Sequence, residues 1–383
     1  MKRELWVVCI THMLIELYLL THLALLPVFM EELQLTLFQA AMIATVPSLL
    51  SLLVNVPMGL LADRVRAKIL LLSSILIEGL SALLVSQASD VYTLIVGLSL
   101  LRISIPVYHN PGLSAISRFT ERRQWSQALG MHNALGSLGA AVGALSLPIL
   151  MLLPFGWRSA YFLWPIPVLA WTIPIIKTGI PRGAETEEKG SQREAPSNFL
   201  SILTLGFATF LFMFGLREMA IAGISTFMTT YLVGGLQLSR ITATLIFGLG
   251  SLVGVAGSLG GGYFGGKMGE KRGMTLALVG CLFSLLLLAS TSSLEWLVVT
   301  YLIYAFFDSS IWIPGSTLVA HLTPRDRRGI GYSTYFFTQG TVGALSPAIV
   351  AQVIGIYGLW YIFPFAILMF ASSTIILQFI PLP

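Results

Sequence analysis

Twelve stretches of about 20 or more residues, nearly free of charge, run through this 383-residue chain. A helix needs roughly 20 apolar residues to cross the hydrocarbon core of a bilayer. The stretches cover 6–30, 37–62, 68–87, 92–117, 127–153, 158–179, 199–231, 240–266, 273–290, 295–320, 329–354 and 359–380. They are too long, and too rich in Gly and Leu, to be barrel strands, which alternate over about 10 residues. Composition agrees: 56% of residues are hydrophobic and 10% charged, against about 25% charged in a soluble protein. So few polar groups cannot build a water-facing shell. The chain therefore predicts an all-α membrane protein of twelve transmembrane helices, with a lipid bilayer as its solvent.

Met1, Lys2 and Arg3 before an apolar run resemble the start of a secretory signal. His12 and Glu16 inside the run, the lack of a small-residue cleavage pattern and the immediate second span argue against one. Cys9 and Cys281 both fall in spans, where a thiol is read as a small buried hydrophobe.

Lys and Arg gather on the cytoplasmic side of membrane proteins. With the N-terminus inside, 18 of the 22 basic residues fall on inner loops. Only Arg158 and Arg240 are outside, and Arg102 and Arg217 lie within spans. Both termini are thus expected in the cytoplasm of a multi-pass plasma-membrane protein. The net charge of +5 belongs to these loops and requires no nucleic-acid partner.

One long polar stretch, 181–198, mixes both charge signs with Gly, Pro and Ser and reads as a flexible cytoplasmic linker. It separates a six-helix bundle over 1–180 from another over 199–383. The halves repeat in parallel. At a common offset Gly59 corresponds to Gly262, Arg64 to Lys267, Lys68 to Lys271, and Pro111-Gly112 to Pro314-Gly315. At a slightly different offset Gly143 to Ser146 corresponds to Gly343 to Ser346. Parallel six-span repeats are one recurring plan of secondary transporters.

The segment Gly59 to Lys68, with Leu61, Ala62, Asp63 and Arg64, resembles the loop signature of the major facilitator superfamily. Arg66 and Ala67 replace its usual glycine and basic residue, and Gly266 stands at the aspartate position of the second copy. The resemblance implies the major facilitator fold over essentially the whole chain. A narrower resemblance is to fosmidomycin-resistance-type exporters. It rests on Thr11, His12 and Glu16, on Leu25-Leu26-Pro27, and on Tyr108, His109 and Pro111, with Asn110 inserted before the proline. That family is regarded as proton-coupled drug exporters.

The loop motif has a physical reading of its own. The Asp63 carboxylate can pair with basic side chains or a helix N-terminus. Gly59, Asp63, Arg64, Lys68, Gly262, Lys267 and Lys271 would then form a latch that holds one conformation, against the plainer alternative of charged loops obeying the positive-inside bias.

A charge at the bilayer centre costs about 2.5–3.5 kcal/mol on insertion scales, so each one marks a site by default. Glu16, Glu78, Arg102, Arg217, Glu218 and Asp308 stand out. All but Glu78 fall on spans one, four, seven and ten, which line the cavity in the resembled superfamily. At 100° per residue His12 shares a face with Glu16, and Arg102 with His109. Further stripes join Glu218, Ser225 and Thr229; Tyr301, Tyr304, Asp308 and Trp312; and Tyr332, Tyr335 and Gln339.

From these we expect Glu16, His12, Glu218 and Asp308 to couple protons. Arg102, His109, Arg217, Tyr301, Tyr304, Trp312, Tyr332 and Gln339 are expected to meet substrate. The competing readings are structural ion pairs for the charges and packing for the aromatics. His132 and His321, placed near a membrane surface, are expected to be bland. Gly248 to Gly266, with Gly250 and Gly254 spaced small–xxx–small, reads as close helix packing.

No Walker-type loop, His-Glu-x-x-His or Cys-x-x-Cys occurs in the chain, so neither direct ATP drive, a metal site nor another cofactor is expected. A membrane enzyme or receptor would need a catalytic constellation or a soluble ligand domain, and no loop is long enough for the latter. The expectation is a monomeric secondary transporter, exporting small organic or drug-like solutes against protons. The alternative is proton-driven uptake or exchange of small organic anions, with Arg102 and Arg217 as binding groups because guanidinium suits carboxylate and phosphate.

Overall fold

The computed structural model describes residues 3–62, 64–120, 125–179, 203–291, 293–324 and 328–381. Asp63, the linker 181–198 and the side-chain surroundings of Gly59 lie outside the described residues. Every regular element among the described residues is helical. Twelve helices are long and apolar enough to cross a membrane: Arg3–Ala24, Leu37–Asn55, Ala67–Ser86, Val91–Leu113, Ala128–Leu150, Arg158–Lys177, Leu205–Gly235, Arg240–Met268, Glu270–Ser290, Leu294–Leu322, Ile330–Tyr357 and Leu359–Gln378. These are the twelve spans expected, here called spans one to twelve.

Three of the described spans are interrupted. Span one is α-helical over Arg3–Ile15, tightens to a 3-10 turn over Glu16–Tyr18, and resumes as Thr21–Ala24 and Leu26–Glu32. Span six is three short helices, Arg158–Leu163, Pro165–Ala170 and Thr172–Lys177. Its prolines lack the N–H that would continue the ladder. Span ten breaks at Ile311, between Leu294–Ser310 and Trp312–Leu322. Irregular backbone inside a membrane persists only where protein or a water-lined cavity satisfies it. Glu16 and Asp308 each sit at such a break.

The described residues fall into two compact units. The first lies within Met1–Glu188 and Leu232–Gly248, the second within Lys189–Tyr231 and Leu249–Pro383. In the first unit a glycine stripe on span five lets span one approach closely. A Cβ on Gly136 would strike the His12 ring, and one on Gly139 or Gly143 the carbonyl oxygens of Met13 or Leu17. In the second unit span eight does the same to span ten. A Cβ on Gly250 would meet the Tyr301 ring at 2.7 Å, and one on Gly257 or Gly261 the backbone of Phe306 or Ser310. Ser310 Oγ also donates to the Gly257 carbonyl at 2.8 Å. The glycine-rich segment is thus a helix-packing surface.

A second feature recurs in both units. Lys68 Nζ donates to the carbonyls of Ile176 and Thr178, at the end of span six. Lys271 Nζ donates to those of Gln378 and Ile380, at the end of span twelve. The last carbonyls of a helix lack intrahelical partners, and a lysine ammonium there also meets the negative end of the helix dipole. Two positions of the expected latch therefore tie the third helix of each half to its sixth. Lys267 donates to the Tyr263 hydroxyl, and Arg64 is exposed.

Candidate functional site

Two polar clusters lie among the spans, one in each unit. In the first, the 3-10 turn presents Glu16 beside spans four and five. Glu16 Oε1 lies 3.0 Å from His109 Nε2 and 3.4 Å from His12 Nε2. His12 Nδ1 donates to the main-chain carbonyl of His132 at 2.8 Å. The His12 and His132 rings stack at 3.8 Å. Tyr108 donates its hydroxyl proton to the Val8 carbonyl at 2.7 Å, so its oxygen accepts from His132 Nε2 at 3.1 Å. His132 was expected to be bland. It is instead 1% exposed and forms one wall of the cluster. Its helical position gave no clue, because the glycines that draw span five against His12 act between helices.

Arg102 stands apart. It lies within Coulombic range of Glu16, Glu78 and His22. It makes no hydrogen bond or ion pair with any described residue. Neither nearby acid bonds it: Glu16 meets the two histidines, and Glu78 accepts from the Ser104 hydroxyl through Oε2 while its Oε1 has no partner among the described residues. Arg102 shares span four with His109 as expected, and its five donors make no hydrogen bond among the described residues.

The second cluster is a triad. Arg217 Nη1 donates to Glu218, its neighbour on span seven. Its Nη2 donates to Asp308 Oδ1 at 2.8 Å and to the Asp308 carbonyl at 3.2 Å, at the break of span ten. Gln339, from span eleven, donates to Glu218 at 3.2 Å. Arg217 Nε is buried without a partner among the described residues. Arg217, Glu218, Asp308 and Gln339 are thus brought together.

The aromatic stripes divide. Tyr301 and Tyr304 are 6% and 4% exposed and stack on each other at 6.3 Å, with Tyr304 also against Phe370. They pack the unit. Trp312, beyond the helix break, is exposed and turns to Tyr335 and Phe336, and Tyr332 packs on Phe336. The expected stripe of Tyr301, Tyr304, Asp308 and Trp312 assumed an unbroken helix, and the interruption at Ile311 splits it. His321 is exposed, 3.8 Å from Glu270.

Twelve apolar helices with ionisable side chains held inside the spans are the frame of a polytopic membrane carrier. The chain belongs to the major facilitator superfamily, whose model matches residues 8–347 and 219–382. It is a secondary transporter of small molecules. One relative is the sialic acid transporter NanX of Escherichia coli (strain K12), 24% identical over 346 residues, which span 88% of this chain and 83% of NanX. Among solved structures, the fold is shared with a bacterial homologue of the human lysosomal transporter Spinster, with a TM-score of 0.81 and 13% identity over 98% of this chain and 94% of that one. The nucleoside transporter NupG gives a TM-score of 0.78 at 13% identity, over 99% of this chain and 98% of its own.

Proposed function

We propose that this transporter moves a small organic anion coupled to protons, with the anion held at Arg102. The observation that carries the reading is the guanidinium of Arg102, which makes no hydrogen bond or ion pair among the described residues although Glu16 and Glu78 lie within Coulombic range. A guanidinium held inside the spans without a direct hydrogen-bonded partner is expensive, and a planar guanidinium matches a carboxylate in bidentate fashion. NanX, named for a carboxylate sugar acid, is consistent with this. For the proton, Glu218 and Asp308 share one guanidinium. With both ionised the triad carries a net negative charge within the spans, and one proton removes it.

Export of organic or drug-like solutes is the second reading. It is favoured by the assembly of His12, Glu16 and His109, the residues that carry the exporter resemblance. The loop after span two, with Asp63 and Arg64, is proposed as the conformational latch. Lys68 and Lys271 serve instead as ties within their own units. We place both termini in the cytoplasm of the plasma membrane, on the loop-charge asymmetry. Labelling of Ser191→Cys from outside the cell would overturn that orientation.

A transport panel in proteoliposomes tests the substrate reading. It should contain sialic acid, simple carboxylates, their neutral amides and lipophilic drugs, each with an imposed pH gradient. Carboxylates should move and their amides should not, and Arg102→Gln should abolish the difference. Transport of neutral drugs with carboxylates excluded would transfer the weight to the exporter reading.

A further inference from the structure

We propose that His12, Glu16 and His109 form a binding site for a divalent transition-metal ion of the Zn2+ class. No spacing motif announces it, since His109 lies 93 residues from Glu16. The three side chains present one ligand atom each, all within 4.8 Å of one another. Ligands at about 2.0–2.1 Å around a tetrahedral ion stand about 3.3 Å apart. The Glu16 oxygen lies 3.0 Å from one histidine nitrogen and 3.4 Å from the other.

The His12 Nδ1–H is committed to the His132 carbonyl, so in the neutral ring Nε2 carries a lone pair. That lone pair faces a carboxylate oxygen, and His12 Nε2 is buried with no hydrogen-bond partner among the described residues. Two electron-rich atoms at this separation, inside a protein, call for a cation between them. A backbone carbonyl on the far nitrogen is also the usual outer support of a metal-bound histidine. Stacking on His132 and the Gly136 contact hold the His12 ring in place.

The ligand set selects the metal. Two imidazoles and one carboxylate suit Zn2+, Ni2+ or Cu2+, whereas Mg2+ and Ca2+ take oxygen ligands. Three protein ligands leave a fourth position open. His12 and Glu16 are 5% and 8% exposed, and the His109 side chain, 32% exposed, provides the way in. The charged groups facing the cluster are Glu78 from span three and Arg102 from span four, whose formal charges oppose each other. Glu16 itself meets the dication.

The test uses the full chain, without a histidine tag, in a Cys9→Ser, Cys281→Ser background. Zn2+ is titrated against a chromophoric chelator, and Co2+ serves as the spectroscopic probe. The site predicts one tight Zn2+ per chain and the intense visible absorption of four-coordinate Co2+. Loss of even an outer support typically weakens metal binding by about 10–100-fold, so His12→Gln, Glu16→Gln and His109→Gln should each weaken it by at least that factor. His321→Gln should bind as the parent does. Should the two buried positions fail to fold when altered, His109→Gln, at the accessible ligand, still decides. Zn2+ binding that is absent, or equal in parent and His109→Gln, overturns the proposal and leaves the gap between His12 and Glu16 to a proton.

Discussion

Arg217 donates to the side chain of Asp308 at 2.8 Å and to its main-chain carbonyl at 3.2 Å, joining span seven to the break in span ten. One guanidinium thereby holds both a carboxylate and the freed end of a helix, while its other arm holds Glu218. Removing the cation would leave two acids facing each other in a buried site.

Arg217→Gln should accordingly be the most damaging single change in the second unit. Breaking a buried ion pair by removing one partner costs about 3–5 kcal/mol. Thermal unfolding in detergent should show a large loss for Arg217→Gln and a smaller one for Asp308→Asn, which retains a polar partner. Equal stability of Arg217→Gln and the parent would mean that the triad is not held as described.

The glycine stripe on span five makes a graded prediction. Gly139→Ala and Gly143→Ala drive a methyl into span-one backbone, whereas Gly136→Ala meets only the His12 ring. Overpacking costs about 1–3 kcal/mol, and the two backbone cases should lie at or above the upper end. Gly136→Ala should be milder in stability. An unperturbed His12 ring resonance in the Gly136→Ala NMR spectrum would contradict the contact.

The lysine ties should act alike in both halves. Hydrogen bonds to a charged group contribute about 1.5–3 kcal/mol. Lys68→Met and Lys271→Met should each lower the unfolding temperature, and by similar amounts. Loss of transport at unchanged stability would return these two lysines to a latch role.

Asp90 offers a pH test outside the spans. It caps span four, accepting from the backbone N–H of Thr93 at 2.9 Å and of Tyr92 at 2.8 Å. These bonds, Thr93 first, hold its carboxyl below the usual aspartate value. The folded pKa is depressed, so the cap's contribution is present above the ordinary range near pH 4 and is lost as pH falls through the lower folded value. Amide exchange at Tyr92 and Thr93, corrected for its intrinsic rate, should quicken over that acid window. In Asp90→Asn, which cannot titrate, the pH dependence should vanish.

The number and approximate placement of the spans were legible because a bilayer imposes a length on every apolar run, but limits such as 6–30 and 199–231 fall instead at Arg3–Ala24 and Leu205–Gly235. The intramembrane charges were legible for the same reason. Their pairing was not. A helical wheel places His12 and Glu16 on one face, but it cannot say that His109 and not Arg102 arrives opposite Glu16. Nor could it show that glycines on span five bring His132 onto His12. The break at Glu16 was silent, since no proline sits within it, whereas the break at Ile311 precedes Pro314, which has no N–H to bond the Ser310 carbonyl. Span six, with prolines at 165, 167 and 174, carried its interruptions in plain view.

The central claim is that an anion and a proton move together, and simultaneous flux tests it most directly. The chain is reconstituted in liposomes loaded with a pH-sensitive dye, at equal pH on both sides, and a carboxylate substrate identified by the panel is added outside. The account predicts that the substrate provokes proton movement across the membrane, that its neutral amide provokes none, and that Asp308→Asn combined with Glu218→Gln moves substrate without protons. Substrate flux in the parent with no accompanying change in internal pH would contradict it.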